Sequence, residues 1–171
     1  LLVINLDLIR MDSKKLKLTP NDLVEISNII SPVVGQNAWG VKLGYGSFIT
    51  ANFGSLIDLG DNISSGEWHL WVRHAYWRLE KENQVLVASE DDRENIEKYV
   101  SVISGLKLDT FEINPSTLET IFSFSEGVKV VITPTSYLQD KYDYWLFFTA
   151  TGNVLTIGPG IKFSYENAGK T

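Results

Sequence analysis

Apolar and polar positions along this chain follow two rhythms, a period of two in short runs and a period near 3.6 in two longer stretches. The first ten residues open with the short rhythm: Leu2, Ile4, Leu6 and Leu8 alternate with Asn5 and Asp7. Ten residues are too few to span a bilayer, and they lack the basic start and small-residue cleavage site of a signal peptide. The single methionine, Met11, follows directly, so the natural start is expected at Met11 with residues 1–10 as upstream sequence. The alternative is a genuine strand.

The helical rhythm begins at Thr19. Thr19 reads as an N-cap, Pro20 as the first helical residue and Asp22 as the reciprocal capping acid. Leu23, Ile26, Ile29 and Ile30 recur on one face, and Ser31-Pro32 ends the helix. Strands are then expected at Trp39–Leu43, Ser47–Phe53, Glu67–Arg73, Tyr76–Glu80 and Gln84–Ala88. A second helix is expected after Ser89 as its cap, with Ile96, Tyr99, Val100 and Ile103 on its apolar face. Glu94 and Lys98 are spaced for an ion pair, and Gly105 is placed to end the helix. Strands resume at Leu108–Ile113, Thr117–Phe124, Val128–Ile132, Tyr144–Thr149, Val154–Ile157 and Lys162–Tyr165.

The order helix then meander therefore occurs twice. Leu23, Ile26, Ile30 and Ser31 align with Ile96, Tyr99, Ile103 and Ser104 at a spacing of 73; Ser47, Phe53, Val85 and Leu86 align with residues 69 later; Tyr76-Trp77 aligns with Tyr144-Trp145 at 68. The expected fold is α+β: two similar halves, each one helix and an antiparallel meander of four to five strands. The expected division is a tail at 1–18, a first half at 19–88 and a second at 89–171, all within one compact domain.

One stretch concentrates the chemistry. Residues 66–79, GEWHLWVRHAYWRL, hold three of the five tryptophans, both histidines and two arginines. As a strand, this segment puts Trp68, Leu70 and Val72 on one face and Glu67, His69, Trp71 and Arg73 on the other. The first face reads as core, with a turn or bulge near His74-Ala75. The second, with His74, is the candidate binding surface: His69, Trp71, Arg73, His74. Trp, Tyr and Arg dominate binding hot spots. The competing reading makes the tryptophans sheet-joining core residues, with the arginines stacked on aromatic rings.

Composition narrows the rest. A net charge of −6 lacks the basic footprint that nucleic acid requires, and leaves room for a basic protein partner. There is no cysteine, which excludes disulfides, thiolate metal sites and thiol nucleophiles and fits a cytoplasmic location. Neither histidine adjoins a nucleophile elbow, and Ser47 in GlyTyrGlySer opens a strand, not a helix. His69 and His74 are five apart, which on one strand points them to opposite faces, so no metal and no cofactor are expected. The carboxylates Glu67, Asp109, Glu112, Glu119 and Asp143 leave a hydrolytic pair open, as in any β-rich chain of this size.

The pieces WGVKLGYGSFITANFG (39–54), GEWHLW (66–71), YWRLE (76–80), SEDDRENIE (89–97) and GNVLTIGPG (152–160) resemble a group of uncharacterised bacterial proteins of about this length. That resemblance runs from Ala38 to Glu166 and implies a bacterial, cytoplasmic accessory protein without assigning any catalytic residue. A small, acidic, cysteine-free α+β chain also resembles immunity proteins that neutralise toxins. The leading expectation is a non-enzymatic bacterial accessory protein that binds another protein, with immunity-like toxin neutralisation as one form of it. A small-molecule-binding or hydrolytic domain with a pocket between the halves comes second, and a homodimer subunit third.

Overall fold

The computed structural model describes residues 17–135 and 141–170. The expectations for residues 1–10 and Met11 lie outside them. Helix α1 (Pro20–Ile30) starts as its sequence demands. The Thr19 hydroxyl accepts from the Asp22 amide at 3.2 Å, and the Asp22 carboxylate accepts from the Thr19 amide at 2.7 Å. Pro32 cannot donate the next backbone bond, so the chain tightens into a 3-10 turn at Ser31–Val33.

Helix α2 (Arg93–Val100) has Asp92, not Ser89, at its N-cap. The reason lies in the neighbouring sheet. The Ser89 hydroxyl accepts from the Trp77 amide at 3.2 Å, and the Ser89 amide donates to the Trp77 carbonyl at 2.8 Å. A residue held by a strand ladder cannot also cap a helix. The i,i+4 ion pair of α2 is Arg93–Glu97 at 2.8 Å, while Lys98 lies over the Tyr99 ring.

Among the described residues eleven strands follow the expected order: β1 (Trp39–Leu43), β2 (Ile49–Gly60), β3 (Ile63–Val72), β4 (Ala75–Lys81), β5 (Gln84–Ala88), β6 (Leu108–Ile113), β7 (Thr120–Phe124), β8 (Val128–Pro134), β9 (Trp145–Phe148), β10 (Asn153–Ile157) and β11 (Phe163–Asn167). The main departure is in β2 and β3, which run on through residues 54–66 as one long hairpin. Its glycines read as strand breakers, yet they serve the hairpin. Gly54 (φ 73°) sits where the β2–β3 register shifts, and a Cβ there would come within 2.9 Å of Glu67 and Trp68. Asp61 and Asn62 turn the hairpin with positive φ at both positions, as a type I′ turn requires.

All strand pairs are antiparallel and form two sheets, β1-β2-β3-β9-β10-β11 and β5-β4-β8-β7-β6. The chain leaves the first sheet after Val72 and enters the second at Ala75. It returns to the first at Trp145. Both sheets and both helices contribute to a single apolar core that includes Ile26, Phe53, Val72, Trp77, Ile96, Phe122 and Phe147.

Four backbone bonds join the turns that follow the two helices. Gly35 N donates to Leu108 O and Gly105 N to Ala38 O, each at 2.7 Å; Ala38 N donates to Leu106 O and Leu108 N to Gln36 O, each at 2.9 Å.

Trp77 and Trp145 are the largest side chains with no exposed surface. A buried indole N–H needs an acceptor. Trp77 Nε1 donates to the Ser47 carbonyl at 2.7 Å, and Trp145 Nε1 to the Thr120 hydroxyl at 3.0 Å. Thr120 in turn donates to the Leu118 carbonyl at 3.0 Å. Thr120→Val should leave an indole donor buried without a partner and lower unfolding stability by about 1–3 kcal/mol, read as a lower urea midpoint at unchanged slope.

Candidate functional site

The aromatic stretch is divided between the sheets. Residues through Val72 belong to β3, and Ala75 onward to β4. On β3, Leu70 and Val72 are buried and Trp68 packs against the core, while His69 and Trp71 face outward. Cross-strand pairing surrounds them with a consistent outer face. Asn52, His69, Phe148 and Val154 form one row, and Thr50, Trp71, Leu146 and Thr156 the next.

The rings cluster, Trp71 standing edge to face with both His69 and Phe148 and the His69–Phe148 pair tilted. Their centroids are 5.6 Å apart for His69–Trp71, 5.3 Å for Trp71–Phe148 and 6.2 Å for His69–Phe148.

A chain of hydrogen bonds fixes the imidazole. The indole of Trp71 can only donate, so its 2.9 Å bond to His69 Nε2 makes that nitrogen the acceptor. The proton of neutral His69 then sits on Nδ1, which donates to the Ser65 hydroxyl at 2.9 Å. Ser65 donates onward to Asn52 Oδ1 at 3.5 Å, where the Gly66 amide also donates at 2.9 Å. Burial, with Lys42 nearby adding positive charge, lowers the His69 pKa from 6.5 to about 4. The network agrees, because a proton on Nε2 would break the bond from Trp71.

The extended part of the β2–β3 hairpin and this face together line a partly open cavity of about 460 Å³. Ile57, Leu59 and Ile63 wall it from the hairpin; His69, Trp71 and Phe148 line it from the sheet. Ile57, Leu59 and Ile63 are 40%, 62% and 60% exposed, an unusual position for such side chains unless something covers them. Glu67 also lines the cavity, its carboxylate accepting from the Ser55 amide at 2.7 Å.

The other two candidates lie apart from that cavity. Arg73 pairs with Asp143 at 3.2 Å and stands over the Phe48 ring at 5.8 Å. His74 contacts the same Asp143, at 3.4 Å to its carboxylate and 3.2 Å to its carbonyl, and packs between Phe48 and Tyr142. Arg73 lines a smaller cavity of about 240 Å³ with Gly44, Tyr45, Phe48, Thr50 and Trp71. Trp71 is common to both cavities; His74 lines neither. A third, more open groove of about 630 Å³ lies between α1 and residues 149–151, with Trp68 and Tyr165 in its wall. There, burial acts to raise the Tyr165 pKa but is outweighed by hydrogen bonds with Thr149, Thr151 and Asn153, so the phenol titrates below its ordinary range.

Of the four candidates read from sequence, His69 and Trp71 line this cavity; Phe148 and the hairpin wall line it too and were not singled out. The signal for the wall was present in Leu56-Ile57-Asp58-Leu59, an apolar run beside a turn with no helical period. Among the described residues no three His, Asp or Glu side chains gather to hold a metal ion, and no helix is long and apolar enough to cross a membrane. No family model, curated protein or solved structure matches this chain.

The imidazole gives a direct test. The unfolded chain takes up the His69 proton near pH 6.5 and the folded chain near pH 4. Between those values the unfolded state binds more protons, so stability falls as pH falls through this window and levels off below it. His69→Gln should flatten that part of the stability–pH curve, and nitrogen NMR of the wild type should show a neutral Nδ1–H ring at pH 6.

Proposed function

We propose that this protein is a non-enzymatic binding module whose ligand is a small, apolar, ring-bearing molecule held beneath the β2–β3 hairpin. The observation that carries the reading is the 460 Å³ cavity itself, within the range of small-molecule sites and built from three aromatic rings and exposed aliphatic side chains. His69 supports binding over catalysis. Both of its ring nitrogens are engaged within the protein, and its lowered pKa keeps it uncharged at neutral pH. In this role it is a rigid, neutral wall that holds the Trp71 indole at a fixed angle.

We also read the chain as two similar α-β units that exchange their last strands. Positions 35, 36 and 38 bond to 108, 108 and 105–106 through reciprocal contacts, each residue matched by one 70 positions later. The same 70-residue shift carries buried Ile26, Ile30 and Val33 onto Ile96, Val100 and Ile103, in place of the 73 taken from sequence. β3 meets β9 in one sheet as β8 meets β4 in the other. On this reading the ligand site is the point where the units differ. The first unit has the long hairpin, with strands of 12 and 10 residues; the second has strands of 5 and 7 residues. The outer face of the second sheet carries the Arg78–Glu80 pair instead of stacked rings.

A protein partner is the second reading, favoured by Leu56. This side chain is 61% exposed, sits on the hairpin beside the cavity and does not line it. A basic partner would suit the net charge of −6.

Indole and benzimidazole, followed by saturation-transfer NMR, test the first reading. Both should bind at about millimolar Kd, as one-site fragments do. Leu59→Asp and Trp71→Ala should weaken them at least tenfold, and Leu56→Asp should leave them unchanged. Equal binding by all variants contradicts the cavity; loss of a purified protein partner with Leu56→Asp alone favours the second reading.

A further inference from the structure

Among the described residues, Glu67 is the only carboxylate in the lining of the 460 Å³ cavity, and no lysine or arginine lines it. Alternation puts Glu67 on the same face of β3 as His69 and Trp71, one two-residue step of about 7 Å from His69. Its Oε2 accepts from the Ser55 amide at 2.7 Å, which fixes the carboxylate beside the bend at Gly54. Its Oε1 has no hydrogen-bond partner among the described residues. Nor is that oxygen shut away, because the buried side-chain atoms without partners are Thr50 Oγ1 and Arg73 Nε alone. The cavity therefore carries a positioned negative charge that no cation of the described protein compensates.

We propose that the ligand of this cavity is an arylalkylamine, its ring on Trp71 and Phe148 and its protonated amine, on a short arm, donating to Glu67 Oε1. This inference rests on the cavity reading above and adds the charged end that the ring-bearing ligand carries. The rings of His69, Trp71 and Phe148 pack against one another, with centroids 5.3 to 6.2 Å apart. They form a floor for a flat ring, not a cage that would surround the cation itself.

The charges on this face run the same way. His69 is uncharged at neutral pH, so it neither repels an ammonium nor competes for the carboxylate. Lys42 belongs to the Trp71 end of the face: it pairs with Thr50, which pairs with Trp71, and it does not line the cavity. An acidic ligand would meet the Glu67 charge unopposed. A ligand with no donor would cover Oε1 and leave it unsatisfied, at a cost to affinity. An ammonium offers only donors and a carboxylate only acceptors, and the bond between them is charge-assisted. The net charge of −6 also attracts any cation, so Glu67 has to be separated from that general field.

The test compares tryptamine with tryptophol, in which a hydroxyl replaces the ammonium, by calorimetry on the full chain. Tryptamine should bind more tightly by about fivefold or more, the worth of one partly exposed ion pair. Glu67→Gln keeps an oxygen for the Ser55 amide and removes the charge. It should abolish the preference while leaving tryptophol affinity unchanged. Trp71→Ala should weaken both compounds alike. Equal binding of the two by the wild type overturns the amine assignment and leaves the cavity reading standing. A preference that survives Glu67→Gln also overturns it, by assigning the attraction to net charge. Tryptamine binding that Trp71→Ala leaves untouched overturns its placement in this cavity. Binding of neither compound overturns both readings.

Discussion

The constraint on which this fold depends is the crossing of the chain between sheets at Arg73-His74. Strand β3 ends the first sheet's own meander, and two residues later β4 pairs with β8 in the second. The return at Trp145 places β9 against β3. Neither sheet is complete without strands from the other part of the chain. The first strands after each crossing carry Trp77 and Trp145, whose indoles fill the shared core and find acceptors across it. A crossing in so few residues also fixes the side chains at the bend. Arg73 donates its amide to the Tyr144 carbonyl, and Asp143 receives both Arg73 and His74. Arg73 and His74, which sequence places on the candidate binding surface, fasten that bend.

The N-terminal end of the same stretch has a different origin. His69 and Trp71 project from the outer face of a sheet that would ordinarily meet solvent, where polar alternation is the rule. Here the face is aromatic, and the prolonged hairpin partly covers it. The hydrogen-bond chain from Trp71 through His69 and Ser65 to Asn52 links the sheet to that hairpin. It holds the imidazole in its neutral Nδ1–H form, while burial costs the ring its ordinary basicity. Rigidity before binding reduces the entropy lost when a ligand is seated.

Much of the fold was legible because its signals are local. The Thr19–Asp22 box set α1, the limits of β1, β5 and β6 matched their alternation, and the face assignment of His69 and Trp71 followed from period two alone. Three features were not. Ser89 looks like a helix cap until its hydroxyl is seen on Trp77, a contact set by tertiary structure. Gly54 and Gly66 look like breaks until the hairpin bend uses them. The separation of Arg73 and His74 from the His69 cavity follows from the sheet crossing, which no periodicity encodes.

The central claim is that the outer face of the first sheet, beneath the hairpin, is a preformed ligand site. Crystals of the protein soaked with a set of small aromatic compounds test it most directly. The account predicts electron density for a ring against Trp71 and Phe148, bounded by Ile57, Leu59 and Ile63, with the His69–Trp71 hydrogen bond intact. Compounds that collect only in the α1 groove, or a hairpin folded down so that no cavity remains over Trp71, would contradict it.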